Sequence, residues 1–157
     1  MMRRSPLTAI IFSAFCFMLM SSCTPGACFE DTEAFLKATF YENESKKAIS
    51  PDSVSLWGSG MGDKMIYNRA ARVQPALLPL DASSGEVSFV IRINGTDDTI
   101  SFRYSSYPHF ISKECGYTFF HNLDMNHYSS TSNIIDTIVF RKGNITTANE
   151  ENIRIYY

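Results

Sequence analysis

His121, Asp124 and His127 are the side chains whose types and spacing best suit chemistry. An imidazole beside a carboxylate can serve as a general acid or base, or can ligate a metal ion. The two histidines are six residues apart and share neither a strand face nor a helix face, so a site would require a particular loop conformation. We interpret the three as a solvated polar loop, and expect no metal and no cofactor. A hydrolase or metal-dependent enzyme built on this loop stays an alternative.

Two other segments invite comparison with known sites. The glycine-rich stretch from Gly58 to Lys64 lacks the spacing of a dinucleotide fingerprint, a P-loop or a nucleophile elbow, so we expect a hairpin loop. Asp97 and Asp98 are adjacent carboxylates, but the ligand alternation of a calcium loop is missing, and we predict a charged turn.

Trp57, Tyr107 and Tyr128 are the candidates for ligand stacking, because each lies close to a predicted loop, as in a carbohydrate-binding module.

The amino terminus has the pattern of a bacterial lipoprotein signal. Arg3 and Arg4 precede an apolar run too short to span a bilayer, and Leu19-Met20-Ser21-Ser22-Cys23 resembles the cleavage and acylation site. Diacylglycerol plus an N-acyl chain, such as palmitate, would anchor Cys23 stably to a lipid bilayer. Thr24 is not the aspartate that retains lipoproteins in the inner membrane of enteric bacteria. We therefore expect the outer membrane. Thr24-Pro25-Gly26-Ala27 also lacks the acidic cluster of a surface-export signal, so we expect the protein to face the periplasm rather than the cell surface.

Composition sets the domain organisation. We expect a signal peptide at 1–22, a lipidated tether at 23–33 and a single domain at 34–157. The signal contains two arginines and no acid, so its removal changes the net charge from −2 to −4. This charge excludes a basic footprint for nucleic acid.

The cysteine count predicts one disulfide. Cys16 leaves with the signal and Cys23 is acylated, so Cys28 and Cys115 remain in an oxidising compartment. A metal pair or a redox pair is the alternative, but the Cys-x-x-Cys spacing is absent and histidine is missing near Cys28.

The hydrophobic pattern predicts an all-β fold. The clearest element is a hairpin over 87–104, in which alternating apolar residues flank the turn Asn94-Gly95. Residues 34–41 suit a strand or a helix, and we choose the strand. Further strand-like segments are 53–57, 65–67, 74–80, 110–120, 134–141 and 152–157.

We infer an antiparallel β-sandwich from these short strands, with an immunoglobulin-like arrangement as one form and a small β-barrel as the alternative. Pro75 and Pro79 cannot donate to a sheet ladder and therefore restrict the segment between them to an edge strand or a bulged stretch. Cys115 is expected in the middle of the strand over 110–120.

The order of several short segments is similar to that of an uncharacterised family of Bacteroidota lipoproteins that carry a domain of unknown function. These segments are Cys28, Phe40-Tyr41-Glu42, Leu78-Pro79-Leu80, the Asn94-Gly95 hairpin with 100–104, Cys115-Gly116-Tyr117, and Ile153-Arg154-Ile155-Tyr156-Tyr157. The resemblance implies an extracytoplasmic all-β lipoprotein and no known activity. It supplies no catalytic residue.

Three triplets match the Asp-Ser/Thr-apolar pattern of O-glycosylation in that phylum, with Ser53, Thr99 and Thr137 as acceptors. Because no motif combines a nucleophile, a base and an orienting group, we expect a non-enzymatic module that binds or assembles envelope proteins or glycans. The carbohydrate-binding module and the envelope hydrolase stay as alternatives.

Overall fold

The computed structural model describes residues 26–61 and 64–157, which form two β-sheets. The expected signal peptide and the acylation site at Cys23 lie outside the described residues. Within the described ranges, no helix is long and apolar enough to cross a membrane. The two sheets confirm the all-β sandwich.

Ten strands build the two sheets in the described part of the chain. They are β1 (Leu36–Tyr41), β2 (Val54–Gly58), β3 (Met65–Ala70), β4 (Ala76–Leu78), β5 (Glu86–Ile93), β6 (Thr96–Ser112), β7 (Gly116–Ser130), β8 (Thr137–Phe140), β9 (Asn144–Ile145) and β10 (Ile153–Tyr156). The smaller sheet has the order β4-β1-β10-β8, and the larger sheet has the order β3-β2-β5-β6-β7-β9. Strands β1 and β10 pair in parallel, and the other pairs among the described strands are antiparallel.

The core lies between the sheets and draws on both. Leu36 and Phe40 of β1 are fully buried, as are Leu56 of β2 and Ile91 of β5. This alternation places apolar side chains on one face of each strand and confirms that residues 34–41 contain a strand rather than a helix. Burial of these side chains is the main source of stability in a fold of this size.

The hairpin predicted from Asn94-Gly95 is present. Ile93 pairs with Thr96 across a two-residue turn, and Asn94 and Gly95 both have positive φ, at 50° and 96°. Two positive φ values in succession define the type I′ turn that matches strand twist. The edge position predicted from the two prolines is also confirmed, because β4 ends the smaller sheet.

The prediction of one continuous strand over 110–120 is wrong. The chain reverses between β6 and β7, and Cys115 lies in that turn. The Ser112 hydroxyl accepts hydrogen bonds from the backbone N–H groups of Glu114 and Cys115, at 3.2 and 3.1 Å, and Gly116 takes a φ of 72°. A side chain that satisfies turn N–H groups, followed by a left-handed glycine, ends the first strand and begins the second.

Candidate functional site

The most unusual part of the structure is the far end of the β6–β7 hairpin. Strand β6 has 17 residues and β7 has 15, but β5 pairs with β6 only as far as Arg103. Residues 105–120, which we call the ribbon, therefore extend beyond β5 as two strands paired with each other. A two-stranded hairpin without further cover is marginally stable in water, so this ribbon needs additional support.

That support comes from the segment before β1. Cys28 and Cys115 form a disulfide that ties the ribbon turn to the start of the described chain. The Thr118 hydroxyl donates a hydrogen bond to the Thr32 carbonyl. At Gly26, a Cβ atom would lie 2.8 Å from Glu114 Cγ, so the backbone passes close to the turn. The predicted disulfide is confirmed.

The ribbon exposes aromatic side chains on one face. Phe110 pairs with Tyr117, and their ring centroids are 5.2 Å apart. Phe119 lies next along the same face, because alternate residue pairs share a face of a hairpin. Phe110, Tyr117 and Phe119 are 49%, 73% and 47% exposed. The same face is buried nearer the core, at Tyr104 and Leu123, where the smaller sheet covers it.

The opposite face of the ribbon packs on itself. His109 stacks on Phe120 with a centroid separation of 4.1 Å, and Tyr107 meets Phe120 edge to face. Phe120 is only 8% exposed as a result. The two faces of the ribbon therefore differ. Side chains of the ribbon pack on each other on one face, whereas the aromatic rings of the other face are exposed.

The prediction that His121, Asp124 and His127 form a solvated loop is wrong, because all three lie in β7 and His121 is buried. His121 points inward, is 3% exposed, and its Nδ1 lies 2.8 Å from the Ser106 hydroxyl. Burial lowers the pKa of His121 and favours the neutral imidazole.

Asp124 and His127 lie instead in a surface bulge. Four residues of β7, 124–127, stand opposite the single residue Arg103 of β6. There Asp124 Oδ2 is 2.7 Å from His127 Nδ1, and the Asn126 N–H donates to Asp124 Oδ1. That backbone bond, followed by the His127 contact, lowers the pKa of Asp124. Within the part of the chain that the structure describes, no group of three His, Cys, Asp or Glu side chains is arranged to hold a metal ion.

The three stacking candidates belong to three different surroundings. Trp57 lies under the Arg92 guanidinium, 5.5 Å from the ring centroid. The Tyr107 hydroxyl donates to Asn144 Oδ1 at 2.9 Å. Tyr128 packs against Phe140 and borders a surface groove of about 500 Å³ on the larger sheet. They do not form one platform.

The three O-glycosylation candidates differ in accessibility. Thr137 is exposed on β8, an edge strand of the smaller sheet. Ser53 and Thr99 are half-buried, and the N–H groups of both donate to side chains, those of Asn94 and Thr131.

Asp98 is a structural residue, and the prediction of a charged turn is wrong for it. The turn is complete at Gly95, so Asp98 already lies in β6 and is 1% exposed. Its carboxylate accepts hydrogen bonds from the Thr131 hydroxyl and from the backbone N–H groups of Asn133, Ile134 and Ile135, the latter at 2.8–2.9 Å. Burial alone would raise the pKa of Asp98, but these four donors outweigh it and lower the pKa.

Together these features define a disulfide-stapled all-β domain with an open aromatic ribbon. A family model matches residues 53–157, and that family is described as one of unknown function (DUF6452). The chain belongs to this family, which confirms the expected domain of unknown function. The match includes Cys115 and starts after Cys28 and β1. No curated protein and no solved structure matches the chain.

Proposed function

We propose that this chain is a lipoprotein of the Bacteroidota outer membrane and serves as a non-enzymatic module that binds or organises envelope proteins or glycans. The observation that carries the proposal is the disulfide between Cys28 and Cys115. Disulfides form and persist mainly in oxidising, extracytoplasmic compartments. This pairing fits the lipoprotein signal, since Cys23 is then left for acylation.

The separation of His121 from the Asp124–His127 pair supports a non-enzymatic role. A general base needs an orienting partner and a reacting group within hydrogen-bond reach. His121 faces Ser106 in the interior, whereas the His127 side chain is 62% exposed. The envelope hydrolase would require these groups in one cleft.

Mass spectrometry of the mature protein tests the proposed anchor. We expect a chain that begins at Cys23 and carries a diacylglyceryl group and an N-acyl chain. Cys23→Ser is the matched control and should leave an unlipidated product. A wild-type mature chain without lipid, or one that begins elsewhere, would contradict the proposal.

In-cell crosslinking of the acylated chain tests the proposed role. We expect defined envelope proteins or glycan strands to be captured, and the same capture to fail for a chain released from the membrane. Capture of no partner would count against the binding role.

Thr137, exposed on β8, is the residue to inspect for O-glycosylation in the same preparation.

Carbohydrate binding is the second candidate, and the groove beside Tyr128 favours it. Arg103 and His127 line this groove together with Ser88 and Ser101, and Tyr128 borders it. A groove lined by hydroxyl, guanidinium and imidazole groups suits hydrogen bonding to the hydroxyls of a sugar ring. Binding of envelope glycans that Tyr128→Ala abolishes and Tyr107→Ala preserves would support it. Equal effects of the two variants would contradict it.

A further inference from the structure

We propose that the aromatic tip of the ribbon lies in the interfacial layer of the bilayer, next to the lipid anchor. The contact surface consists of Phe110, Tyr117 and Phe119, with Phe29 beside the disulfide. This inference rests on the proposed acylation of Cys23, and adds to it the surface through which the folded domain meets the membrane.

Within residues 26–61 and 64–157, no other part of the chain fully covers these rings. Phe29 is 94% exposed and Tyr117 is 73% exposed, and the Phe110 and Phe119 rings are each about half exposed. Clustered exposed apolar side chains mark an interaction surface more often than isolated ones do. The opposite face of the same ribbon is closed by the His109–Phe120 stack, so the open face is a specific property of one side.

The short chain between Cys23 and the disulfide indicates that the membrane covers this aromatic surface. Cys28 lies five positions after Cys23, and even a fully extended chain spans at most about 18 Å over that separation. The disulfide then holds Cys115 with its Cα atom 4.8 Å from that of Cys28. An acylated Cys23 therefore keeps the ribbon turn near the bilayer surface throughout the life of the protein.

The chemistry of the tip suits the lipid headgroup region. Tyrosine is enriched at membrane interfaces, where an apolar ring and a hydroxyl are both satisfied. Lys113 and Glu114 at the turn are exposed and opposite in charge, and Glu30 and Asp31 lie nearby. The tip thus lacks the excess of basic residues that binds anionic lipids, so we expect apolar insertion that depends little on salt.

Fluorescence quenching in vesicles tests the contact on the acylated full chain. Trp57 is the single tryptophan, so Trp57→Phe provides a dark background. Tyr117→Trp places the probe at the tip, and Tyr128→Trp is the matched control, on the same strand and 44% exposed. Both proteins are reconstituted in phosphatidylcholine–phosphatidylethanolamine vesicles, with and without bromine on the acyl chains near the headgroup.

We expect Y117W to lose emission in brominated vesicles and to be shielded from aqueous acrylamide. Y128W should show the reverse, and 0.5 M salt should leave the difference unchanged. Equal quenching of the two probes would overturn the proposal. So would a Y117W probe shielded from acrylamide but insensitive to bromine, because a protein partner or a second copy would then cover the tip.

The same samples separate this inference from the proposed function. A chain that is acylated and floats with the vesicles, yet shows no bromine quenching of Y117W, refutes the tip contact and leaves the anchor intact. A mature chain without lipid at Cys23 overturns both. The disulfide is verified in each variant by thiol titration, so loss of the ribbon structure is detected directly.

Discussion

Cys28 is joined to Cys115 across 87 residues of sequence, and this bond fastens the start of the domain to the end of its longest hairpin. Both partners are in regions that contribute little to the core: a segment without regular structure and the turn of the ribbon. The disulfide therefore orders the periphery of the molecule while the sandwich provides the interior.

Removal of the disulfide should loosen the ribbon first. In the chain-entropy model a loop of this length stabilises the fold by about 4–5 kcal/mol. We expect the double variant C28S/C115S to lose up to about this free energy of unfolding in urea, and the amides of residues 105–120 to exchange much faster with deuterium. Amides of β5, which is paired on both sides, should stay protected. Unchanged exchange in the ribbon would contradict the prediction.

Asp98 should be far more important for stability than its neighbour Asp97. Asp98→Asn replaces a buried carboxylate, which accepts four hydrogen bonds, with a neutral amide. We expect the free energy of unfolding to fall by about 3 kcal/mol. Asp97 pairs with Arg92 on the surface, where both side chains are more than 40% exposed, so Asp97→Asn should cost at most about 1 kcal/mol. Urea denaturation of both variants provides the comparison. Equal losses would show that the Asp98 contacts contribute little.

Acid should destabilise the protein partly through Asp98. Its pKa in the folded chain is below that of an unfolded aspartate, about 3.9, so its contribution is complete above that pH. As the pH falls through the lower, folded pKa, this contribution is lost. The difference in unfolding free energy between wild type and D98N should therefore be constant from pH 7 to 5 and should shrink at pH 3. A constant difference down to pH 3 would contradict the linkage.

The sequence contains the information that places the Asp98 side chain inward, although the adjacent carboxylates of Asp97 and Asp98 predict a charged turn. Asp98 is in phase with Ile100 and Phe102, so once the two-residue turn is accepted, period-two alternation places its side chain inward. Its four donors follow in residues 131–135, and no local pattern couples distant segments in this way. The hairpin itself was predictable because the Asn-Gly turn is a local signal.

Other features depend on information that alternation does not contain. A pattern of apolar residues assigns a strand to a face but does not name its neighbour, so the parallel pairing of β1 with β10 was not predictable. The apolar alternation continues on both sides of the turn, and the sequence therefore wrongly predicts Cys115 in the middle of a strand. The solvated loop predicted for His121, Asp124 and His127 is instead a strand, in which the bulge at 124–127 turns two of the three side chains outward.

His121 should make stability depend on pH in the mildly acidic range. Burial lowers its folded pKa, so the unfolded chain takes up a proton first as the pH falls below about 6.5. We expect the free energy of unfolding to decrease between pH 7 and pH 5, and His121→Gln to remove part of that slope. His127→Gln, at an exposed site, is the control and should retain it. The prediction fails if the two variants show the same slope.

Asn152 is the polar side chain that connects β1 to the loop around β9, and its loss should be costly. It is 2% exposed, and its Oδ1 accepts a hydrogen bond from the Lys37 N–H at 2.9 Å. Its Nδ2 donates to the carbonyls of Lys142 and Asn144, at 3.1 and 3.3 Å. Asn152→Ala leaves these groups without their partner in the interior, so we expect a loss of about 2–4 kcal/mol in urea denaturation. Asn149→Ala, at an exposed position three residues earlier, should change stability by less than about 0.5 kcal/mol. Comparable losses in the two variants would mean that this connection does not stabilise the sandwich.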